Sequence, residues 1–170
     1  MRVATALAVL AAMVDPALAQ TITGNATVVR PYAFSLAGYQ VYLLGVDSVE
    51  HGQTCAIGAR SWDCWAAAFR QLETIVGEGT LSCDLVVGPD AQGRVIAVCA
   101  VNGEDVGLRF VESGFGLALP METTRYDAAQ AEARAAARGL WQGGFVAPVI
   151  WRSRPFAMQS GRPRFMIPAG

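Results

Sequence analysis

Cys83 and Cys99 lie at equal distances from Ala91, on either side of the turn-forming run Gly88-Pro89-Asp90-Ala91-Gln92-Gly93. A hairpin centred on Ala91 brings the two directly opposite each other. A non-hydrogen-bonded antiparallel pair holds its Cα atoms within reach of a disulfide. Closing that loop stabilises a fold by about 3 kcal/mol in the chain-entropy model. The other two cysteines are Cys55 and Cys64. Four cysteines allow three pairings. The hairpin selects Cys83–Cys99, and Cys55–Cys64 follows by exclusion, tethering a loop to the start of a helix. Zinc is the competing use, but there is no C-x-x-C and His51 is the only histidine.

The N-terminus has the layout of an export signal. Arg2 is followed by an apolar run, Val3 to Val14, too short to span a bilayer. Ala17-Leu18-Ala19 has the small-x-small form of a cleavage site. Residues 1–19 are therefore expected to be a signal peptide, and the mature chain to be secreted or periplasmic, where disulfides persist. No cysteine follows the site to carry a lipid anchor, and no later apolar stretch suits a membrane helix. The mature chain, about 150 residues, is long enough for one domain with its own core.

Charge is unevenly distributed. All thirteen basic residues are arginine. Between Gln20 and Glu132 there are six arginines against thirteen acids; after Glu132 there are six arginines and no acid. An acidic body repels phosphate backbones, which argues against broad nucleic-acid binding by it. The basic segment 146–170 is expected to be a solvated tail, although its charge also suits an acidic partner, a membrane surface or nucleic acid. No protein partner is named by the sequence.

Ile22 to Val29, Tyr32 to Leu36 and Gln40 to Val46 read as a three-stranded meander. Ser61 is placed to cap a helix from Trp62 to Val76, with apolar residues at helical spacing and Gly77 after it. Thr80–Val87 and Arg94–Val101 are the strands of the disulfide hairpin. Asn102-Gly103 is a turn, and Asp105 can cap a short helix through Val111. A third helix is expected over Tyr126–Leu140, and from Gln142 the chain is expected to be an extended segment lying on the body and then disordered. Trp62, Trp65 and Trp141 are expected to pack. Three strands, a helix, two strands and two helices suit an α+β fold: a five-stranded antiparallel Greek-key OB-fold barrel with three helices, covering residues 20–145.

One strand ends in a chemically suggestive way. Leu43-Leu44-Gly45-Val46 runs into Asp47 and Glu50, two carboxylates three residues apart. Such a pair suits a divalent cation and the orientation of a water molecule. No Asp or Glu occurs from Gln20 to Val46.

In this order and spacing the chain resembles the thermonuclease family, typified by staphylococcal nuclease, from about Ile22 to Trp151. Leu44-Gly45-Val46-Asp47-Ser48-Val49-Glu50 is similar to the family's strand-end motif Gly-Ile-Asp-Ala/Thr-Pro-Glu. Gln53-x-Cys55 with Trp62-x-Cys64 resembles the exported bacterial branch. Asp90-Ala91-Gln92-Gly93-Arg94 resembles the hairpin Asp-Arg-Tyr-Gly-Arg. Val111-x-x-Gly114, Glu132-Ala133-Arg134 and Gly139-Leu140-Trp141 match the C-terminal helices.

The resemblance implies a calcium-dependent phosphodiesterase acting on DNA and RNA. Asp47 matches one metal aspartate, Glu50 the catalytic glutamate and Arg94 one of two catalytic arginines. The remaining parts are absent. The family's Asp-Gly-Asp-Thr turn falls on Arg30-Pro31-Tyr32-Ala33, so the second metal aspartate becomes Tyr32. The other arginine becomes Tyr42 and the hairpin tyrosine becomes Gln92. Losing one charge-stabilising donor typically costs about 10²–10³ in rate, and losing a carboxylate weakens a hard-cation site. The expectation is a weak or inactive nuclease, or alternatively a non-catalytic OB-fold binding or structural module. Tyr32 and Tyr42 are expected to fill the emptied pocket, and Glu50 and Arg94 to form an ion pair. His51, beside Glu50, is expected to be an exposed loop residue.

Overall fold

The computed structural model describes residues 20–154. The expected signal peptide and the chain beyond Arg154 lie outside the described residues. The strands are β1 (Thr21–Gly24), β2 (Thr27–Arg30), β3 (Ala33–Leu36), β4 (Tyr39–Leu43), β5 (Val46–Asp47), β6 (Cys55–Ile57), β7 (Arg60–Trp62), β8 (Leu81–Val87), β9 (Arg94–Val101), β10 (Glu104–Asp105) and β11 (Leu117–Ala118). The helices are α1 (Cys64–Val76), α2 (Val106–Glu112), α3 (Asp127–Ala135) and α4 (Pro148–Arg152), with a 3-10 turn over Gly139–Gln142.

The main sheet has the order β1-β8-β9-β4-β3-β2, with β10 added to β9. It curls around a core that includes Phe34, Leu36, Val41, Leu81, Val95 and Phe110, each at most 1% exposed. This is the α+β, OB-type architecture expected from the element order. One feature departs from the all-antiparallel expectation: β4 pairs with β9 in parallel, from Gln40↔Arg94 to Leu43↔Ala97. The crossover through α1 and β8 returns β9 to the meander in the same direction as β4, which a hairpin connection could not do.

The disulfide hairpin forms as expected. Cys83 and Cys99 are direct register partners and are bonded, with Cα atoms 4.0 Å apart. Cys55 and Cys64 form the second bridge, with Cα atoms 5.6 Å apart. It fastens the β6–β7 hairpin to the first residue of α1. That hairpin displaces the expected cap: Ser61 pairs with Ala56 inside it. Asp63 caps α1 instead, accepting from the Ala66 N–H at 2.8 Å. Asp105 caps α2 as expected, accepting from the Leu108 N–H.

Two segments differ from the sequence pattern. Helix α3 stops at Ala135, five residues before Leu140. Ala137 and Gly139 both adopt left-handed φ, +50° and +53°, and Gly139 packs against the backbone of Gly114, where a Cβ would overlap. The approach is sealed by Leu140 N–H donating to Gly114 O. Beyond Gln142, where an extended tail was expected, Gly144 bridges Ala56, Phe145 and Val146 are fully buried, and α4 follows. Pro148 at its first turn suits a helix start, since the missing N–H is not needed there. Of the tryptophans, Trp141 is 5% exposed, and Trp62 and Trp65 are partly buried against the core.

The two disulfides close loops of 16 and 9 residues in sequence separation. Replacing either pair with serines is expected to cost about 2–3 kcal/mol. The check is urea unfolding of each double variant beside the oxidised parent, where a lower midpoint marks the loss of stability and a steeper slope the more open unfolded chain.

Candidate functional site

The site begins at Gly45. Its φ of +70° turns the chain sharply after β4, and a Cβ there would overlap the Thr123 side chain. Its N–H donates to Glu122 Oε2 at 2.9 Å, and its carbonyl accepts from Leu119 N–H. The chain then enters β5, which pairs with β11 (Asp47↔Leu117). Asp47 is thereby held in the wall of the fold at 8% exposure, followed by fully buried Ser48 and Val49. Ser48 Oγ donates to Phe115 O, and Ser48 N–H donates to Asp47 Oδ1.

Glu50 lies one turn further on, its side chain 12% exposed. Its position is set by Gln53, whose side chain is fully buried. Gln53 Oε1 accepts from the Glu50 N–H at 3.0 Å. Gln53 Nε2 donates to Val146 O at 2.6 Å. One side chain therefore fixes both the loop that carries Glu50 and the segment that leads into α4.

That link delivers a residue that sequence reasoning left in the tail. Arg152, on α4, spans the two carboxylates. Its Nη1 donates to Asp47 Oδ1 (3.1 Å) and Glu50 Oε1 (2.6 Å), and its Nη2 donates to Asp47 Oδ2 (2.8 Å). Trp151, 4% exposed, anchors the helix beside it. Tyr32 completes the cluster, its hydroxyl donating to Glu50 Oε1 at 3.1 Å. The only sequence signal for Arg152 was an arginine in a stretch of apolar residues, Val149-Ile150-Trp151.

The cluster shifts its members in a consistent way. The hydrogen bonds it donates to Asp47, ahead of the one to Glu50, hold the Arg152 guanidinium above its ordinary range against the opposing effect of burial. Burial first, then the Glu50 charge and hydrogen bond, push Tyr32 up to about 12. Tyr32 is therefore a neutral donor throughout the physiological range.

The other expected residues are placed as follows. Arg94 does not pair with Glu50. It folds back onto its own turn, with Nε 2.6 Å from Asp90 Oδ2 and Nη2 donating to Gln92 Oε1. Asp90 organises that turn, accepting from the N–H groups of Gln92 and Arg94. The short reach back to Asp90 replaces the expected ion pair, because Glu50 is already held by Arg152. Tyr32 and Tyr42 face each other with ring centroids 6.1 Å apart, and both line the cleft in front of Asp47. His51 is exposed, its ring edge-on to Trp65 at 4.7 Å.

A calcium ion, implied by the resemblance, needs several hard oxygen donors. Both oxygens of Asp47 and Oε1 of Glu50 are occupied by Arg152. Among the described residues no group of three or more His, Cys, Asp or Glu side chains is disposed to hold a metal. The donor set does not fit the ion, because a guanidinium already supplies the positive charge.

Arg152→Ala is expected to cost about 1–2 kcal/mol. That is less than for a fully buried pair, because the Arg152 side chain is 45% exposed. Chemical denaturation checks this, and Arg152→Lys is expected to recover only part, since lysine lacks the planar fork. Tyr32 gives a pH signature. With a folded value of about 12 against the ordinary tyrosine value of 10.0, its contribution to stability is complete below pH 10 and is lost as pH rises towards 12. A phenolate absorbance titration is expected to show one late-ionising tyrosine fewer in Tyr32→Phe.

Comparison with known proteins agrees with the architecture. Residues 40–143 match the model of the family described as staphylococcal nuclease homologue. The chain is also 29% identical over 142 residues to the succinoglycan biosynthesis protein ExoI of Rhizobium meliloti (strain 1021), a match covering 79% of this chain and 74% of that protein. With most of the curled sheet, the disulfide hairpin and the first three helices inside the matched region, the chain belongs to the staphylococcal nuclease homologue family.

Proposed function

We propose that this protein is an exported member of the nuclease family that does not carry out calcium-dependent phosphodiester cleavage, and that its OB-fold serves as a binding module. In this reading residues 1–19 are a removable signal peptide, residues 20–145 form the OB-fold domain, and α4, at the start of the basic tail, completes its site. Two disulfides suit an oxidising compartment.

The observation that carries the reading is the Arg152 clamp on Asp47 and Glu50. Metal-assisted hydrolysis needs the aspartate free to bind a cation and the glutamate free to activate water. Here both are neutralised from within the chain. The losses at Tyr32 and Tyr42 act in the same direction. Tyr32 offers a neutral hydroxyl where the family has a metal aspartate, and Tyr42 bonds to Gln40 Oε1 where the family has a guanidinium. Arg94 is engaged by Asp90, so it would have to leave that pair to reach a phosphate. These deficits act on one transition state and do not simply multiply, yet each alone is of the order of 10²–10³ in rate.

Digestion of plasmid and single-stranded DNA in calcium tests the proposal. The parent and Glu50→Ala are both expected to leave DNA intact. Cutting by the parent that Glu50→Ala abolishes would overturn it. Tyr32→Asp with Tyr42→Arg is expected to gain activity only when Arg152→Ala is added, because the guanidinium otherwise keeps Asp47 from the ion.

A further inference from the structure

The cleft in front of the clamp is large, 840 Å³, within the range of small-molecule sites. Its walls are mainly apolar, from Leu43, Val46, Ile96, Leu117, Trp141 and Pro148. The apolar surface continues outward, with Val87 and Val149 lining the cleft while 51% and 65% exposed. Trp141 is 95% buried by its 5% exposure, and its indole N–H has no acceptor among the described residues.

The charged groups around the cleft define what could enter it. Both lining arginines are already compensated, Arg152 by Asp47 and Glu50, and Arg94 by Asp90. An anion would have to break these pairs to gain a cation. Glu122 is different: it lines the cleft, is exposed, and accepts the Gly45 N–H through Oε2, with no guanidinium paired to it among the described residues. Three lining acids (Asp47, Asp90, Glu122) against two lining arginines (Arg94, Arg152) leave the formal charge of the lining at −1. The groove therefore joins an apolar lining to a net negative field, and low-dielectric walls focus such a field.

We infer that the cleft binds an organic cation with an apolar body, its ammonium or guanidinium group meeting Glu122. This rests on the non-catalytic reading above, since it keeps the Arg152 clamp closed. Among the described residues both arginines that line the cleft are paired, which makes nucleotides and other anions poor occupants of the same space.

A matched series sharing one apolar body tests the charge requirement: 4-phenylbutylamine, 4-phenylbutanol and 4-phenylbutyrate. Titrations of the full mature chain are followed by the backbone amides of Leu119 and Glu122 and the indole N–H of Trp141. The amine is expected to bind best and the acid worst, with a ratio of about fivefold or more between them. Glu122→Gln, which keeps an oxygen for the Gly45 N–H, is expected to lower that ratio at least twofold while leaving the alcohol unchanged. Three results would overturn the inference. The acid or a nucleoside bisphosphate could bind as well as the amine. None of the series could bind. Or the amine could bind only a chain ending at Arg154, which would make residues 155–170 the occupant. DNA cutting by the same preparation would overturn the non-catalytic reading instead, so the two failures are separable.

Discussion

Two carboxylates set in the wall of a largely apolar cleft require a positive charge close by. Withdrawing a charge from water is costly unless it is paired and hydrogen-bonded. In this protein the requirement is met by Arg152, which contacts Asp47 through both Nη atoms and Glu50 through one. The position of α4 follows from the same need. Gln53 holds the approach to the helix from inside the fold, and Trp151 seals its other side. The β5–β11 pairing, the Glu50 turn and the last helix thus converge on one guanidinium.

This arrangement separates kinship from chemistry. The match over residues 40–143, a span that includes Asp47, Glu50 and the disulfide hairpin, places the chain in the nuclease homologue family. A permanent intramolecular cation in front of those same acids is a different electrostatic solution from a dissociable ion. A guanidinium binds in the plane of its fork, and the Nη atoms of Arg152 are turned to Asp47 and Glu50. Tyr32 adds a neutral donor to Glu50, so that carboxylate is satisfied from two sides. What remains open is the cleft, apolar in most of its lining, which the proposed reading assigns to recognition.

Much of the fold was legible because its signals are local. The turn run between Cys83 and Cys99 set a register that the sheet reproduces from Leu81↔Val101 to Leu85↔Ala97, before a bulge between Leu85 and Val87 shifts it by one. Asp105 caps α2 because an acid at that offset meets the N–H of Leu108. Where local signals failed, a long-range contact had taken the residue. Ser61 lost its cap role to a β-hairpin. The alanine-rich run after Ala135 left the helix because Gly139 had to reach Gly114. The expected Glu50–Arg94 pair gave way to two others, since Asp90 lies four residues from Arg94 and Arg152 reaches Glu50 from the far end of the chain.

The sequence by itself determined the fold type, both disulfides, the positions of Asp47 and Glu50 at a strand end, and the absence of any acid between Gln20 and Val46. These follow from spacing, turn chemistry and residue identity, which act over short stretches. Only the tertiary structure decided which charge the two carboxylates would meet. Arg152 is 105 residues from Asp47 along the chain, and nothing in its neighbourhood marks it as a site residue. It becomes one because burying Phe145, Val146 and Trp151 brings α4 against the cleft, and there the guanidinium finds the nearest pair of acids.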